Sequence, residues 1–395
     1  MKQDGRYVFS PAMRRAYEFL PTAAGAYRLF TTLQQLLLTL LLLLGFLCIL
    51  TPQAEASRFV PASAPAIQYF GRWDFSRPER VRTGRGAVYL RVDFTGTSLR
   101  LQLQEDRNWW RASIDGRDST KFRPRTGTVT LAENLSPGRH QLVLTRITEG
   151  ENGISSLAGF HLDDGAELLR GEPPAARRLE IIGDSIAAGA MNDGPQALSY
   201  AVKEDGLRAF APRLAQALGA EWSVTAKSGE GVVRNYGEGT GRSGIHTIDT
   251  YPRTFYTEPR PIWTTARFAP QAVLLAMGTN DFSDGPGQPS EREFTAGYTR
   301  LLQSVRERNP EAVLIAVEPM ALNLGPQPGQ WIEQAVAARR AAGDTRLYYI
   351  PVHPAARLQP ADFVGDETHP TAEGAQKIAD YLKPIAAAIL GWQEQ

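Results

Sequence analysis

Four short segments hold residue types that could carry out acyl transfer together. They are Gly183-Asp184-Ser185-Ile186, Ser228-Gly229-Glu230-Gly231, Gly278-Thr279-Asn280-Asp281 and Asp366-Glu367-Thr368-His369-Pro370. A serine hydroxyl becomes a useful nucleophile only when a base takes its proton, and a tetrahedral oxyanion needs donors that are already aimed at it. In that chemistry Ser185 would attack and His369 would be the base. Asp366, three residues before His369, can bring a carboxylate to the imidazole within one turn and fix its tautomer. The backbone N–H groups of Ser185 and Gly229 and the amide of Asn280 would supply three oxyanion donors. Each residue also has a plain structural reading: Ser185 as a helix cap, His369 as a surface histidine near a helix start, Gly229 as a turn glycine, Asn280 as a loop-capping amide. Gly231 lies in the same loop as Gly229 and could replace it as donor, and Asp184 reads as a local structural carboxylate. The joint occurrence of all four segments, each after or near a strand-like run, favours the chemical reading.

The elements that must position these residues fall into two patterns. From Ser57 to Arg170 the chain reads as short strands with alternating apolar and polar residues, at Val88–Phe94, Ser98–Leu103, Thr128–Leu131 and His140–Leu144. Turns at Thr95-Gly96-Thr97, Asp115-Gly116 and Ser136-Pro137-Gly138 separate them, a pattern that predicts a β-sandwich or jelly roll. Of the adjacent Trp109 and Trp110, one is expected to face inward. Residues 171–176, Gly-Glu-Pro-Pro-Ala-Ala, read as a linker. From residue 177 to 395 the period changes. Buried-type strands at Leu179–Ile182, Trp222–Thr225, Ala272–Ala276, Val313–Val317 and Leu347–Ile350 alternate with helical runs. Phe294, Tyr298, Leu301, Leu302 and Val305 share one helical face, and Asn309-Pro310 stops that helix. Ala372, Ala375, Ile378, Leu382 and Ile385 share another, with Pro370 expected to open the last helix. Alternating strands and helices predict a parallel sheet covered on both faces, with the ligand site at the carboxyl ends of its strands.

Composition narrows the class further. The chain has 395 residues, 43 Lys and Arg against 42 Asp and Glu, and a net charge of +1, with no dense basic run to suggest a nucleic-acid partner. Arg14, Arg15 and Arg28 precede an apolar run from Leu36 to Leu50, and Ala54-Glu55-Ala56 then offers a small-x-small cleavage signal before Ser57. Residues 1–56 therefore read as a secretory signal peptide cleaved after Ala56, which makes the mature chain secreted or periplasmic and free of the membrane. An uncleaved signal anchor is the alternative. The single cysteine, Cys48, lies in this leader, so no disulfide is expected in the mature chain. His140, His161, His246 and His353 have no metal-ligand spacing, and no metal or cofactor is expected.

The serine, glycine, asparagine and histidine segments, in this order and strand context, resemble the SGNH (GDSL-type) hydrolases from about Arg177 to the C-terminus. The resemblance implies α/β architecture, a flavodoxin-like three-layer α/β/α hydrolase domain, and ester hydrolysis at a Ser-His-Asp site without metal. A finer resemblance rests on the preceding all-β domain, with Thr95-Gly96-Thr97-Ser98 leading a strand and Ile114-Asp115-Gly116 following Trp109-Trp110. It rests also on Ser228–Tyr236 and Gly278–Ser283 downstream. Together these are most like carbohydrate esterase family 2, which pairs a jelly roll with an SGNH domain and removes acetyl groups from plant polysaccharides. Some members of that family use a Ser–His dyad; Asp366 predicts a full triad here. The text after Ser185, Ala187-Ala188-Gly189-Ala190, departs from the family's usual pattern.

The expected substrate is thus an acetylated polysaccharide or oligosaccharide, deacetylated through an acyl-enzyme. Another small acyl ester, a non-catalytic glycan-binding role, or acetyl transfer to a sugar are the alternatives. Aromatic rings stack on sugar faces, so Trp263, Tyr236 and Phe282 are candidates for a glycan subsite, with core packing the competing role and the preferred one for Phe282.

Overall fold

The computed structural model describes residues 28, 30–41, 57–117, 120–194, 198–283 and 285–392. The chain divides into two compact units, residues 1–56 and Ser57–Gln395. In the first, residues 30–41 are helical and Leu36, Leu37, Leu38, Leu40 and Leu41 are exposed. The remainder of the expected apolar run and the cleavage signal at 54–56 lie outside the described residues. Among the described residues no helix is long and apolar enough to cross a membrane.

The second unit begins with two six-stranded antiparallel sheets packed face to face. One contains Leu99–Gln104, Gly127–Ala132 and Ser155–Leu162; the other contains Val88–Thr95, Trp110–Ile114 and Arg139–Arg146. Their alternation is the expected one: Leu99, Leu101 and Leu103 are buried while Gln102 and Gln104 are exposed. Val88, Leu90, Val92 and Phe94 fill the space between the sheets with Leu142, Leu144, Leu157 and Phe160. Trp110 is fully buried there, and Trp109 stays at the surface with the Lys121 ammonium 5.6 Å from its ring.

After residues 171–176 the chain enters a five-stranded parallel sheet in the order Ala220–Ala226, Arg177–Gly183, Ala272–Ala276, Val313–Val317, Leu347–Ile350. This 2-1-3-4-5 order is that of a doubly wound, flavodoxin-like sheet. Ala220–Ala226 and Ala272–Ala276 are buried along their length and Arg177–Gly183 from Leu179 onward, because helices cover both faces. Leu179, Ile181, Val224 and Leu274 pack on one side against Ser185–Ala188, Phe210–Ala217 and Ala372–Leu390. Ile182, Val273, Leu275 and Leu314 pack on the other against Glu291–Arg308 and Gln327–Ala341. Ser290 caps Glu291–Arg308 by accepting from Glu293 N–H, and Asn309 ends it. The last helix starts two residues later than Pro370 predicts, at Ala372. Thr371 is its N-cap, accepting from Gly374 N–H, while Pro370 pairs with Phe363 in a short antiparallel bridge. The threonine hydroxyl satisfies an orphan donor, which proline cannot do.

The sandwich and the parallel sheet are knit together inside the single unit. On the strand Val88–Thr95, the residues that do not face the sandwich core face the other way. Tyr89 is stacked between Phe70 at 4.5 Å and Trp222 at 4.0 Å. Arg72 pairs with Glu180 at 2.8 Å with both side chains almost fully buried, and Arg85 donates to the carbonyls of Thr250 and Arg253 at 2.7 and 2.9 Å.

Candidate active site

Ser185 opens the short helix Ser185–Ala188, one residue after the strand Arg177–Gly183, the first of the parallel sheet in chain order. The turn is tight. A Cβ on Gly183 would lie 2.4 Å from the Ala187 Cβ, so the strand can fold back into the helix only with glycine there. Asp184 is the N-cap, accepting from Ile186 N–H at 3.0 Å, as the sequence suggested for a structural carboxylate. It is buried, and burial pushes its carboxyl above the usual range. The remaining segments follow their strands in the same way, Ser228–Gly231 after Ala220–Ala226 and Asn280 in a turn after Ala272–Ala276.

His369 Nε2 lies 2.9 Å from Ser185 Oγ, and His369 Nδ1 lies 2.7 Å from Asp366 Oδ2. A carboxylate accepts only, so this network assigns the proton to Nδ1 and leaves Nε2 to accept from the serine hydroxyl. Asp366 Oδ1 also accepts from the backbone N–H groups of Thr368 and His369, at 2.9 and 2.8 Å. Partial burial works against the Asp366 charge; the imidazole and the two N–H groups outweigh it and hold the pKa down at about 2. The loop that carries the pair is anchored by Leu322 N–H to the Glu367 carbonyl at 2.7 Å and Val364 N–H to the His369 carbonyl at 2.9 Å.

The residues on the Gly229 and Asn280 side of the cleft hold one another. Asn280 donates from Nδ2 to the Glu230 carbonyl at 2.9 Å, leaving its second amide hydrogen for the cleft. Its neighbour Asp281 is fully buried and accepts from Val232, Val233 and Arg234 N–H at 2.8 to 3.1 Å. Burial pushes that carboxyl up to about 6 against the pull of those three donors. Gly231 N–H is already committed to Asn235 Oδ1 at 3.0 Å. Gly229, at φ +76°, lines the cleft, and its N–H has no partner among the described residues. Of the two glycines, Gly229 is therefore the one whose donor remains available.

Ser185, Gly229, Asn280, Asp366 and His369 all line one cavity of about 570 Å³. Tyr200, Phe282, Leu324 and Asn323 complete its wall, with Lys227 and Glu151. Tyr236, 71% exposed, stands at its mouth. Phe282 packs edge-on to Phe294 at 4.8 Å and shows the cleft only a small remainder of its surface, so its main role is core. Trp263 corrects the subsite expectation. It is nearly buried, lines a different groove with Tyr69 and Trp73, and lies 5.8 Å from the Arg72 guanidinium. The loop that carries it is bound to the sandwich, where the indole covers a buried cation. A larger groove of about 640 Å³ on the sandwich, beside Arg77, Arg80 and Arg107, contains none of the four segments. Among the described residues no group of three or more His, Cys, Asp or Glu could hold a metal ion.

The cleft residues missed in the sequence are Glu151, Tyr200, Lys227, Asn323 and Leu324, together with Glu149, which lies behind the cleft and accepts from Ser228 N–H. Lys227 adjoins the Ser228–Gly231 segment and could have been flagged by position. Glu149 and Glu151 are in the sandwich, and no local pattern connects them to the serine.

The fold and the arrangement of these side chains are of the SGNH/GDSL type. The chain matches the GDSL-like Lipase/Acylhydrolase family over residues 181–377 and the Carbohydrate esterase 2 N-terminal family over residues 69–173. By these paired domains the chain belongs to the SGNH/GDSL-type hydrolases and is most like carbohydrate esterase family 2. It is 30% identical over 347 residues to the cellulase/esterase CelE of Acetivibrio thermocellus, covering 86% of this chain and 41% of that protein, so the chain spans less than half of that relative. It is 27% identical over 315 residues to an acetylxylan esterase / glucomannan deacetylase of Cellvibrio japonicus, covering 75% of this chain and 82% of the relative. A family two carbohydrate esterase from Clostridium thermocellum, solved in complex with cellohexaose, superposes with a TM-score of 0.75 at 28% identity. That match covers 83% of this chain and all of the other.

Proposed function

We propose that the chain is an exported serine esterase that removes O-acetyl groups from a carbohydrate through an acyl-enzyme. The observation that carries the proposal is the hydrogen-bonded series Asp366–His369–Ser185, at 2.7 and 2.9 Å, opening on a cleft that also receives Gly229 N–H and the Asn280 amide. Ser185 Oγ attacks the acetyl carbonyl carbon while its proton passes to His369 Nε2. The oxyanion sits between Ser185 N–H, Gly229 N–H and Asn280 Nδ2. Collapse expels the sugar oxygen, which takes the proton from His369 and leaves acetyl on Ser185. Water then attacks, His369 takes its proton, and acetate departs as the proton returns to Ser185 Oγ.

An acetylated sugar substrate is supported by the similarity to an acetylxylan esterase / glucomannan deacetylase and by the exposed Tyr236 ring at the cleft mouth, which offers a face to a pyranose. Export rests on the leader at residues 1–56, with cleavage after Ala56 or retention as a signal anchor. The test is acetate release by the chain from residue 57 onward across a panel of acetylated glycans, with Ser185→Ala as control. Release that vanishes in Ser185→Ala is expected. Release that persists in that variant overturns the mechanism, and glycan binding without release overturns the activity.

A further inference from the structure

Two carboxylates from one turn of the sandwich converge beneath the oxyanion loop. Glu149 immediately precedes the short 3-10 turn Gly150–Asn152; it is 1% exposed, and its carboxylate accepts from Ser228 N–H at 2.5 Å. Glu151, on the same turn, faces the cleft and pairs with Lys227 Nζ at 2.8 Å. Lys227 Nζ in turn donates to the Ser228 carbonyl at 2.5 Å. That carbonyl belongs to the peptide unit whose N–H is Gly229's. In a trans peptide the C=O and N–H point in opposite directions, so fixing one aims the other. We infer that the Glu149–Glu151 turn is a clamp that positions the Gly229 N–H for the oxyanion. Glu149 holds Ser228 on its amino side, and Glu151 holds it on its carbonyl side through Lys227. The inference rests on the serine-esterase reading above.

The clamp itself cannot swing. A Cβ on Gly150 would lie 2.4 Å from the Gly84 carbonyl oxygen, so the turn is pressed against neighbouring backbone. Glu149 N–H donates to Glu204 Oε1 at 2.5 Å, and Arg146 Nη2 donates to the Glu149 carbonyl at 3.0 Å. A buried carboxylate is costly, and one of its two oxygens, Glu149 Oε1, has no partner among the described residues. A leucine would fill this joint at lower cost if packing were the only requirement. What the carboxylate supplies in return is the fixed Ser228 N–H. Glu149 and Lys227 are thus positioning residues: they act through the Gly229 peptide, and neither is required to touch the acyl group.

The test compares Glu149→Leu, Glu149→Gln and Lys227→Met with the wild type in the chain from residue 57 onward. Two readouts are used: p-nitrophenyl acetate hydrolysis, and the rate at which a fluorophosphonate labels Ser185. Losing an oxyanion donor outright slows such enzymes by about 10²–10³, so a mis-aimed donor is expected to lower kcat by about tenfold or more. KM is expected to stay within about twofold, since the donor acts in the transition state. Labelling should slow in parallel, and Glu149→Gln, which keeps an acceptor for Ser228 N–H, should recover most of the rate. Wild-type kcat and labelling in both Glu149→Leu and Lys227→Met overturn the clamp. If Glu149→Leu loses its near-ultraviolet circular dichroism, Lys227→Met, at a partly exposed site, decides alone. A wild-type chain that the fluorophosphonate does not label at Ser185 overturns the esterase reading itself, a failure distinct from that of the clamp.

Discussion

At the scale of single residues, Asp366 shows how far a carboxylate can be committed while still meeting solvent. Its side chain is 37% exposed, yet it holds the His369 imidazole and two backbone N–H groups. Its folded pKa, about 2, lies below the ordinary aspartate value. A depressed acid adds stability that is present above the unfolded pKa and is lost as pH falls toward the folded one, here between about pH 4 and pH 2. Through the working range Asp366 therefore stays charged, and the acid limb of kcat/KM above about pH 4 is expected to carry at most one proton, none of it from Asp366. A two-proton slope above pH 4 would contradict this. Asp366→Asn removes the carboxylate that fixes the tautomer. The comparable change in a buried triad costs about 10⁴ in kcat, and solvent access here should moderate it to about 10². Asn280→Ala deletes one donor and is expected to lower kcat by about 10²–10³, with KM nearly unchanged. Ser185, Gly229 and Asn280 could be picked out in the sequence because each sits just after a strand end, and Asp366 and His369 because they stand three residues apart shortly before the last helix. Trp263 misled because a ring in a long loop carries no sign of which surface the loop will meet.

At the scale of elements, the decisive pieces are turns that put backbone where side chains cannot go. Two glycines in one loop make contrasting predictions. Gly231→Ala would place a Cβ 1.9 Å from the Arg234 carbonyl oxygen, so the loop must shift and Asn280 loses its register. Loss of most activity and a lowered melting temperature are expected. Gly229→Ala meets nothing closer than 3.7 Å and retains its N–H, so its cost is that of a left-handed backbone, about 1–2 kcal/mol. Measuring kcat and thermal unfolding for both variants separates the two cases; equal damage in each would mean that the loop is not held as described. Strand and helix positions were legible because period 2 and period 3.6 differ along this chain. The start of the last helix was displaced from Pro370 to Ala372 because the Thr371 hydroxyl takes the cap position.

At the scale of the whole molecule, the sandwich and the parallel sheet share a buried joint. The sequence marks the change of period near residue 177 but gives no sign of this joint, because Arg72 and Glu180 look like ordinary surface charges until the fold pairs them. Removing one partner of a buried ion pair strands the other, so Arg72→Leu is expected to cost about 3–5 kcal/mol, readable as a lower urea midpoint. The joint also predicts one cooperative transition, in which near- and far-ultraviolet circular dichroism change together for the chain from residue 57 onward. Two separated transitions would show the halves to be independent.

The turn at Glu149–Glu151 has a consequence for how such a protein can be recombined. The triad and oxyanion residues proposed above lie beyond residue 177, so a graft that kept only that portion would carry every group assigned to the reaction. It would lack the carboxylate that accepts from Ser228 N–H and the one that holds Lys227. It would also lose Tyr89, whose ring covers Trp222. A chimera joined at residues 171–176 to a foreign sandwich should recover its rate only when the donor supplies a carboxylate at the position of Glu149. In this molecule the portion that looks like an accessory to the enzyme is the reference frame from which its loop is aimed.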